Sequence, residues 1–271
     1  MNINEKKIIL GRCQDELKSF SDGSFDLIYI DPPFNTGKKQ SRKRIKTIRD
    51  SHGDRVGFQG KKYKTEVLTE LSYDDSFDNF LGFIKPCLDE AYRLLSPNGS
   101  FFFHINYIES HYCKILLDDI FGRDCFKNEI IWHWDFGARA KNKWPSKHDT
   151  IFWYVKNPNN YTYNYDEIDR IPYMAPDLVG KEKAARGKTP TDTWFITIEP
   201  TQSKKRTGYP TQKPYKLLER IIKVHSNPGD KILDFFAGSG TTGEAALNHG
   251  RKVVLIDSNP KSIEIIKNRL K

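Results

Sequence analysis

The first dense apolar cluster is Phe25-Asp26-Leu27-Ile28-Tyr29-Ile30, an aromatic and β-branched run cut off by Asp31-Pro32-Pro33. Two successive prolines cannot continue a ladder, so the pattern predicts a strand that presents residues at its carboxyl end. Over residues 76–95, Phe77, Phe80, Leu81, Ile84, Leu88, Ala91, Leu94 and Leu95 recur at helical spacing. Ser96-Pro97-Asn98-Gly99 reads as the stop of that helix, and Pro86 is expected to bend or divide it. Further on the spacing predicts a strand at 101–105, a helix at 107–121, and strands at 129–134 and 150–155. From 157 to about 209 the periodicity weakens into aromatic, polar and basic residues with several prolines, and no regular core element is expected. Beyond it come a helix at 213–224 with Pro214 near its first turn, a strand at 231–234, a helix at 240–248, a strand at 252–256 and a helix at 260–270. Such alternation predicts a wound α/β fold in one domain spanning 1–271.

Composition agrees with a packed domain: 271 residues, 37% hydrophobic and 13% aromatic, exclude a disordered chain. No apolar run is long enough to span a bilayer and residues 1–11 are too polar for a signal peptide, so a soluble, cytoplasmic protein with no membrane partner is expected. Cys13, Cys87, Cys113 and Cys125 form no Cys-x-x-Cys pair, which points away from a disulfide framework or a zinc knuckle. The seven histidines make no ligand spacing with Cys or Asp, so no metal is expected.

Charge changes the picture more than composition does. Residues 36–64 hold eleven Lys and Arg against two Asp, an excess equal to the net charge of +9 for the whole chain. With four glycines and few large apolar residues, 36–72 reads as a long basic loop inserted into the fold. A charge run alone is as readily a solvated loop; its place directly after Asp31-Pro32-Pro33 favours nucleic acid. Lys38, Lys39, Arg42, Lys43, Arg44 and Lys46 are the candidates for phosphate contact, giving affinity without choosing sequence. Arg139, Lys141 and Lys143, beside Trp144, form a second candidate loop, and sequence choice is assigned to a target-recognition-like segment at 157–209.

Two motifs carry chemistry. Asp234-Phe235-Phe236-Ala237-Gly238-Ser239-Gly240-Thr241-Thr242-Gly243 is a strand entering a glycine-rich turn and then a helix, and the next strand ends at Asp257, placed for ribose hydroxyls. Together they predict an adenosine-type cofactor. Gly238, Gly240 and Gly243 also fit the dinucleotide pattern of a nicotinamide-dependent oxidoreductase, but Asp234 would repel a pyrophosphate and suits an amine-bearing ligand.

The other motif is Asp31-Pro32-Pro33-Phe34-Asn35. The exocyclic amine of a nucleobase delocalises its lone pair into the ring. Methylating it requires acceptors that hold its hydrogens and draw the lone pair out of conjugation. The Asp31 carboxylate and the Pro32 carbonyl can be those acceptors, stiffened by the prolines, and Phe34 offers a flat face for an unstacked base.

Asp-Pro-Pro-Phe together with Phe-Ala-Gly-Ser-Gly-Thr-Thr, catalytic motif first, resembles the permuted beta group of S-adenosylmethionine-dependent DNA amino-methyltransferases of restriction-modification systems. Thr211-Gln212-Lys213-Pro214 is similar to the family segment along the methionine end of the cofactor, and Asp257 to its ribose acceptor. The resemblance implies a Rossmann-like, mostly parallel sheet of about seven strands with helices on both faces and a circularly permuted motif order. It implies catalytic roles for Asp31, Pro32, Pro33 and Phe34, with S-adenosylmethionine held by Cys13, Asp31, Lys213, Asp234, Phe236, Ala237, Gly238, Ser239, Gly240, Thr241, Asp257 and Ser258.

The partners it implies are double-stranded DNA, a cognate restriction endonuclease and a second copy of the chain as a homodimer. Asp before Pro-Pro-Phe implies N6 of a flipped-out adenine, since cytosine-N4 members more often begin with Ser; cytosine N4 and a catalytically silent DNA-binding relative are the alternatives. No covalent enzyme intermediate is expected for transfer to an exocyclic amine; the one Pro-Cys pair, Pro86-Cys87, falls inside the stretch read as a helix over 76–95 and outside both motifs. One departure stands out: relatives carry Gly-Asp-Cys where this chain has Gly11-Arg12-Cys13, which removes an acid for the cofactor adenine amine and leaves Asp15 as the nearby substitute.

Overall fold

The computed structural model describes residues 5–271 except 39, 54, 57–59, 74, 138, 201, 202, 204 and 205, and gives the backbone alone for 41–47 and 67–73. In chain order the elements are β1 (Lys6–Leu10), α1 (Cys13–Glu16), β2 (Phe25–Ile30), β3 (Gln40–Arg49), β4 (Arg55–Val56), β5 (Lys62–Tyr73), α2 (Phe80–Leu94), β6 (Leu95–Asn106), α3 (Ser110–Phe121), β7 (Phe126–His133) and β8 (His148–Val155). They continue with α4 (Lys181–Arg186), β9 (Thr193–Phe195), α5 (Tyr215–His225), β10 (Lys231–Asp234), α6 (Thr241–Asn248), β11 (Lys252–Asp257) and α7 (Pro260–Arg269).

Eight strands form the main sheet in the order β1-β11-β10-β2-β6-β8-β7-β9, one more than the expected seven. Only β8 runs against its neighbours; the other pairings are parallel. A largely parallel sheet needs cover on both faces, and β6 shows how it is supplied. Phe101 stacks on Phe121 of α3 at 5.0 Å, whereas Phe102, one residue on and facing the other way, meets His225 of α5 at 4.8 Å. Phe101, Phe102 and Phe103 are fully buried; removing one such ring costs about 3–5 kcal/mol. The amphipathic α5 buries Leu217, Leu218, Ile221 and Ile222 against the sheet and turns Lys216 to solvent. Among the described residues no helix is long and apolar enough to cross a membrane.

Several expectations are corrected. The helix expected from 76 begins at Phe80, because the Asn79 side chain accepts from the Gly82 N–H at 2.8 Å and caps it. Pro86 does not divide α2. The ring crowds the carbonyl four residues back, which belongs to Gly82, where the absence of a Cβ gives the backbone room to yield. α2 does stop just before Ser96-Pro97-Asn98-Gly99, at Leu94, and those four residues already belong to β6; Pro214 sits next to the first turn of α5, as its N-cap. The 157–209 segment does contribute a core element, since β9 joins the sheet edge beside β7 and Trp194 and Ile196 are buried.

The basic insertion is a strand pair rather than a loop. β3 and β5 run antiparallel from Gln40↔Tyr73 to Arg49↔Tyr63, with β4 added at the far end, as a separate three-stranded sheet. Its turn is closed by Gly53 N–H to the Asp50 carbonyl at 3.0 Å and His52 N–H to Asp50 Oδ1 at 2.9 Å. Ten residues at strand rise make an arm roughly 34 Å long.

Candidate active site

β2, β10 and β11 end side by side, and a cavity of about 330 Å3 lies over their carboxyl ends. This is where open α/β sheets hold ligands. Of the residues expected at a cofactor, Cys13, Asp31, Lys213, Asp234, Phe236, Ala237, Gly238, Ser239, Thr241, Asp257 and Ser258 line it, together with Pro33; Gly240 sits behind the wall as the N-cap of α6.

The glycine turn is shaped by conformation and by space. Gly238 has φ +49°, and a Cβ there would lie 3.1 Å from the Tyr209 ring; Gly240 has φ +74°, with Ile266 at 3.0 Å from such a Cβ. The Gly238 N–H donates to Asp257 Oδ2 at 2.8 Å and Asn259 N–H to Oδ1 at 2.8 Å, so Asp257 is fixed with lone pairs left over. Burial raises its pKa. Asp234, 2% exposed, accepts from Thr242 Oγ1 at 2.6 Å and Phe236 N–H at 3.0 Å. Burial pushes its pKa up to about 7, and the nearby Asp31 and Asp257 carboxylates push in the same direction.

Opposite the glycine turn, Asp31 follows directly on β2. Its buried Oδ1 lies 2.9 Å from Lys213 Nζ and 4.0 Å from His104 Nδ1, and makes no well-aligned hydrogen bond among the described residues. Lys213 Nζ is also 4.5 Å from the centre of the Phe34 ring. Pro32 is buried and Phe34 half-buried. The turn is held from behind: Asn106 Nδ2 donates to the Phe34 carbonyl at 2.9 Å, and Asn35, at φ +53°, donates its N–H to Asp75 Oδ1 at 2.8 Å and Nδ2 to Glu109 Oε1 at 2.9 Å. Asparagine is among the few non-glycine residues that adopt the left-handed region, and here long-range bonds to Asp75, Glu109 and the Phe77 N–H hold it there.

Sequence reasoning missed a buried relay behind this turn. Tyr29 Oη lies 2.7 Å from His104 Nδ1, and His104 Nε2 lies 3.2 Å from Asp149 Oδ2. Tyr29, read only as a strand residue, lines the cavity, as do Phe77, Phe83, Tyr209 and Asn259. Tyr209 fell in the irregular stretch just before Thr211-Gln212-Lys213-Pro214, and that proximity was the available signal. Arg12 lines the cavity too, whereas Asp15, its proposed substitute, is not part of the wall. The four cysteines are free and buried, with Cys13 Sγ 2.8 Å from Cys87 Sγ.

The expected DNA contacts are dispersed. Lys38 is exposed at the root of the arm; Lys39 and the side chains of Arg42, Lys43, Arg44 and Lys46 lie outside the described residues. Arg49, Arg55, Lys61, Lys62 and Lys64 at the far end of the arm are exposed. Arg139, Lys141 and Lys143 are exposed on the β7–β8 loop, Arg139 pairing with Asp135 at 2.5 Å.

A family model described as DNA methylase, of the N6/N4 methyltransferases, matches residues 25–268. The chain is 32% identical over 270 residues to the type II methyltransferase M.HpaI of Haemophilus parainfluenzae, covering 98% of this chain and 74% of that one. It is likewise 32% identical over 280 residues to the DNA adenine methyltransferase YhdJ of Escherichia coli K12, covering 98% and 82%. Among solved structures, the M1.HpyAVI–SAM complex aligns with TM-score 0.59 at 21% identity, covering 97% of this chain and 99% of that one. The PvuII cytosine-N4-specific DNA methyltransferase aligns with TM-score 0.69 at 16% identity, covering 98% and 86%. At those identities the structures speak to the Rossmann-like fold alone. With its motifs on one cavity and the family match running through nearly its whole length, the chain belongs to the N6/N4 DNA methylase family.

Proposed function

We propose that the protein methylates the exocyclic N6 of an adenine rotated out of double-stranded DNA, with S-adenosylmethionine as donor. The observation that carries this reading is the position of Asp31: it lines one cavity with Gly238 and Ser239 of the glycine turn, and the Lys213 ammonium paired with it also lies against the Phe34 ring. The donor set suits this cofactor. Asp257 is placed for ribose hydroxyls, the open Gly238 backbone for close approach, and Asp234 for a cationic amine. When bound, the cofactor supplies an electrophilic methyl group on a sulfonium.

The chain's own residues do the rest. Phe34 stacks the extruded base, and Asp31 with the Pro32 carbonyl accepts the two N6 hydrogens, aiming the lone pair at the methyl in line. As the C–N bond forms, the methyl group's bond to the sulfonium would break with its electron pair left on sulfur as a thioether, and positive charge builds on N6; the Asp31 carboxylate stabilises it and takes the proton that N6 loses. Support for adenine is the aspartate before Pro-Pro-Phe and the adenine activity in the name of the Escherichia coli relative. The arm from Gln40 to Tyr73 and the loop carrying Lys141 and Lys143 engage phosphates.

The test is to incubate the protein with plasmid DNA and S-adenosylmethionine carrying a labelled methyl, digest to nucleosides and identify the labelled base. N6-methyladenine supports the reading; N4-methylcytosine moves the chain to the other arm of its family; no label refutes methyl transfer to DNA.

A further inference from the structure

We propose that Trp144 is the side chain that enters the DNA stack in place of the base rotated toward Asp31. This rests on the reading that the substrate is a base extruded from a duplex, and adds the residue that holds the duplex open.

Trp144 is 94% exposed, whereas Trp132, Trp153 and Trp194 are buried at 3%, 6% and 8%. An indole is among the side chains that gain most from burial, so the fold itself gives no reason to leave this one in water. The loop that carries it starts from a fixed place. Trp134 N–H donates to the Lys147 carbonyl at 3.0 Å, closing the loop one register step beyond the His133↔His148 pair. One step further in, Asp149 sits 3.2 Å from His104 Nε2, and His104 Nδ1 is 4.0 Å from Asp31 Oδ1. A single histidine therefore separates the root of the loop from the catalytic carboxylate.

That root is rigid. The Trp132 and Trp134 rings are 4.7 Å apart, Trp132 meets His104 edge-on at 5.4 Å, and Lys147 Nζ donates to the Phe136 carbonyl at 2.9 Å. Lys147 is three positions beyond Trp144, a reach of about 10 Å when extended, and Pro145 restricts Trp144 to an extended backbone. Exposed Lys141 and Lys143 directly precede the indole. A flat apolar surface beside two cations, on a loop whose root lies one histidine away from the carboxylate of a site that takes a single base, matches a duplex interrupted at that base. The cations meet phosphates and the indole fills the gap between neighbouring pairs. Stacking on an aromatic ring depends little on sequence, so the wedge serves extrusion rather than site choice.

The experiment compares wild type, Trp144→Ala and Trp144→Phe on two versions of a duplex that wild type methylates. In one the target base is normally paired; in the other it faces an abasic position, which lowers the cost of extrusion. The expected result is a loss of about 10- to 100-fold in kcat/KM for Trp144→Ala on the paired duplex, shrinking to within about threefold on the abasic one. Trp144→Phe should fall between, and S-adenosylmethionine affinity should not change. With 2-aminopurine at the target, the fluorescence rise on binding should be lost with Trp144→Ala. Equal losses on both duplexes, or no loss on either, overturn the proposal. Failure of wild type to methylate either duplex overturns the functional reading instead, and the wedge with it.

Discussion

The Lys213 ammonium lies 2.9 Å from Asp31 Oδ1 and 4.5 Å from the centre of the Phe34 ring, so a nitrogen cation rests between the two groups that a base amine would touch. The pair is largely shielded, at 10% and 16% side-chain exposure. Removing one partner of such a pair strands the other, at a cost of roughly 3–5 kcal/mol when burial is complete. We therefore expect Lys213→Met to destabilise by about 2–4 kcal/mol, and a double-mutant cycle with Asp31→Asn in denaturant unfolding to give a coupling above about 1 kcal/mol. Additive effects would mean that the contact carries no energy.

Asp234 gives a pH dependence with a defined sign. Burial raises its pKa to about 7, and Asp31 and Asp257 face it while Thr242 and the Phe236 N–H hold it. Because the folded value lies above the unfolded one, its contribution to stability is complete below about pH 4 and is lost as pH rises through 7. Binding of a cationic ligand runs the other way, since it needs the ionised form. S-adenosylmethionine affinity measured by calorimetry should rise with pH, by up to about tenfold per unit below 7, and level off above it. Asp234→Asn should flatten the profile; an unchanged profile in that variant would remove Asp234 from ligand binding.

The turn from Asp31 to Asn35 and the basic arm share one anchor. Asp75, 1% exposed, accepts from Asn35 N–H at 2.8 Å, Thr36 Oγ1 at 2.5 Å and Gln40 Nε2 at 3.2 Å, linking Asp31-Pro32-Pro33-Phe34-Asn35 to the first residue of β3. Asp75→Ala takes the acceptor from the Asn35 N–H and Thr36 Oγ1, both half-buried, while Gln40 Nε2 keeps its bond to Thr36 Oγ1; each lost bond is worth about 0.5–1.5 kcal/mol. We expect kcat to fall at least tenfold while S-adenosylmethionine affinity changes less than twofold. Equal loss of both would indicate general unfolding rather than a misplaced turn.

Neutralising Lys61, Lys62 and Lys64 together tests the arm. Each phosphate contact contributes close to one unit to the slope of log affinity against log salt, so the triple Gln variant should bind DNA more weakly and with a slope shallower by about two to three. An unchanged slope would place the arm off the DNA.

The sequence disclosed the parts whose pattern and chemistry coincide. β2 ends at Ile30, just before Asp31, because the two prolines that follow cannot continue a ladder, and β10 and β11 end on Asp234 and Asp257 beside glycines whose positive φ the turn requires. What stayed hidden is mostly where tertiary pairing decides. β1 is a five-residue, half-exposed edge strand that exists through its ladder with β11, and β9 has three residues given order by β7. The arm was obscured because the charge density of its sequence masks any strand alternation. The Tyr29–His104–Asp149 relay joins three strands, so no local motif could announce it.

The most direct measurement of the central claim is methyl transfer by Asp31→Asn, scored beside its affinity for S-adenosylmethionine. Asparagine nearly preserves the shape of the side chain but removes the charge that stabilises a cationic N6. The account predicts cofactor binding within a few-fold of wild type and a rate on DNA lower by about a hundredfold or more. Transfer at close to the wild-type rate, with the cofactor bound normally, would contradict it.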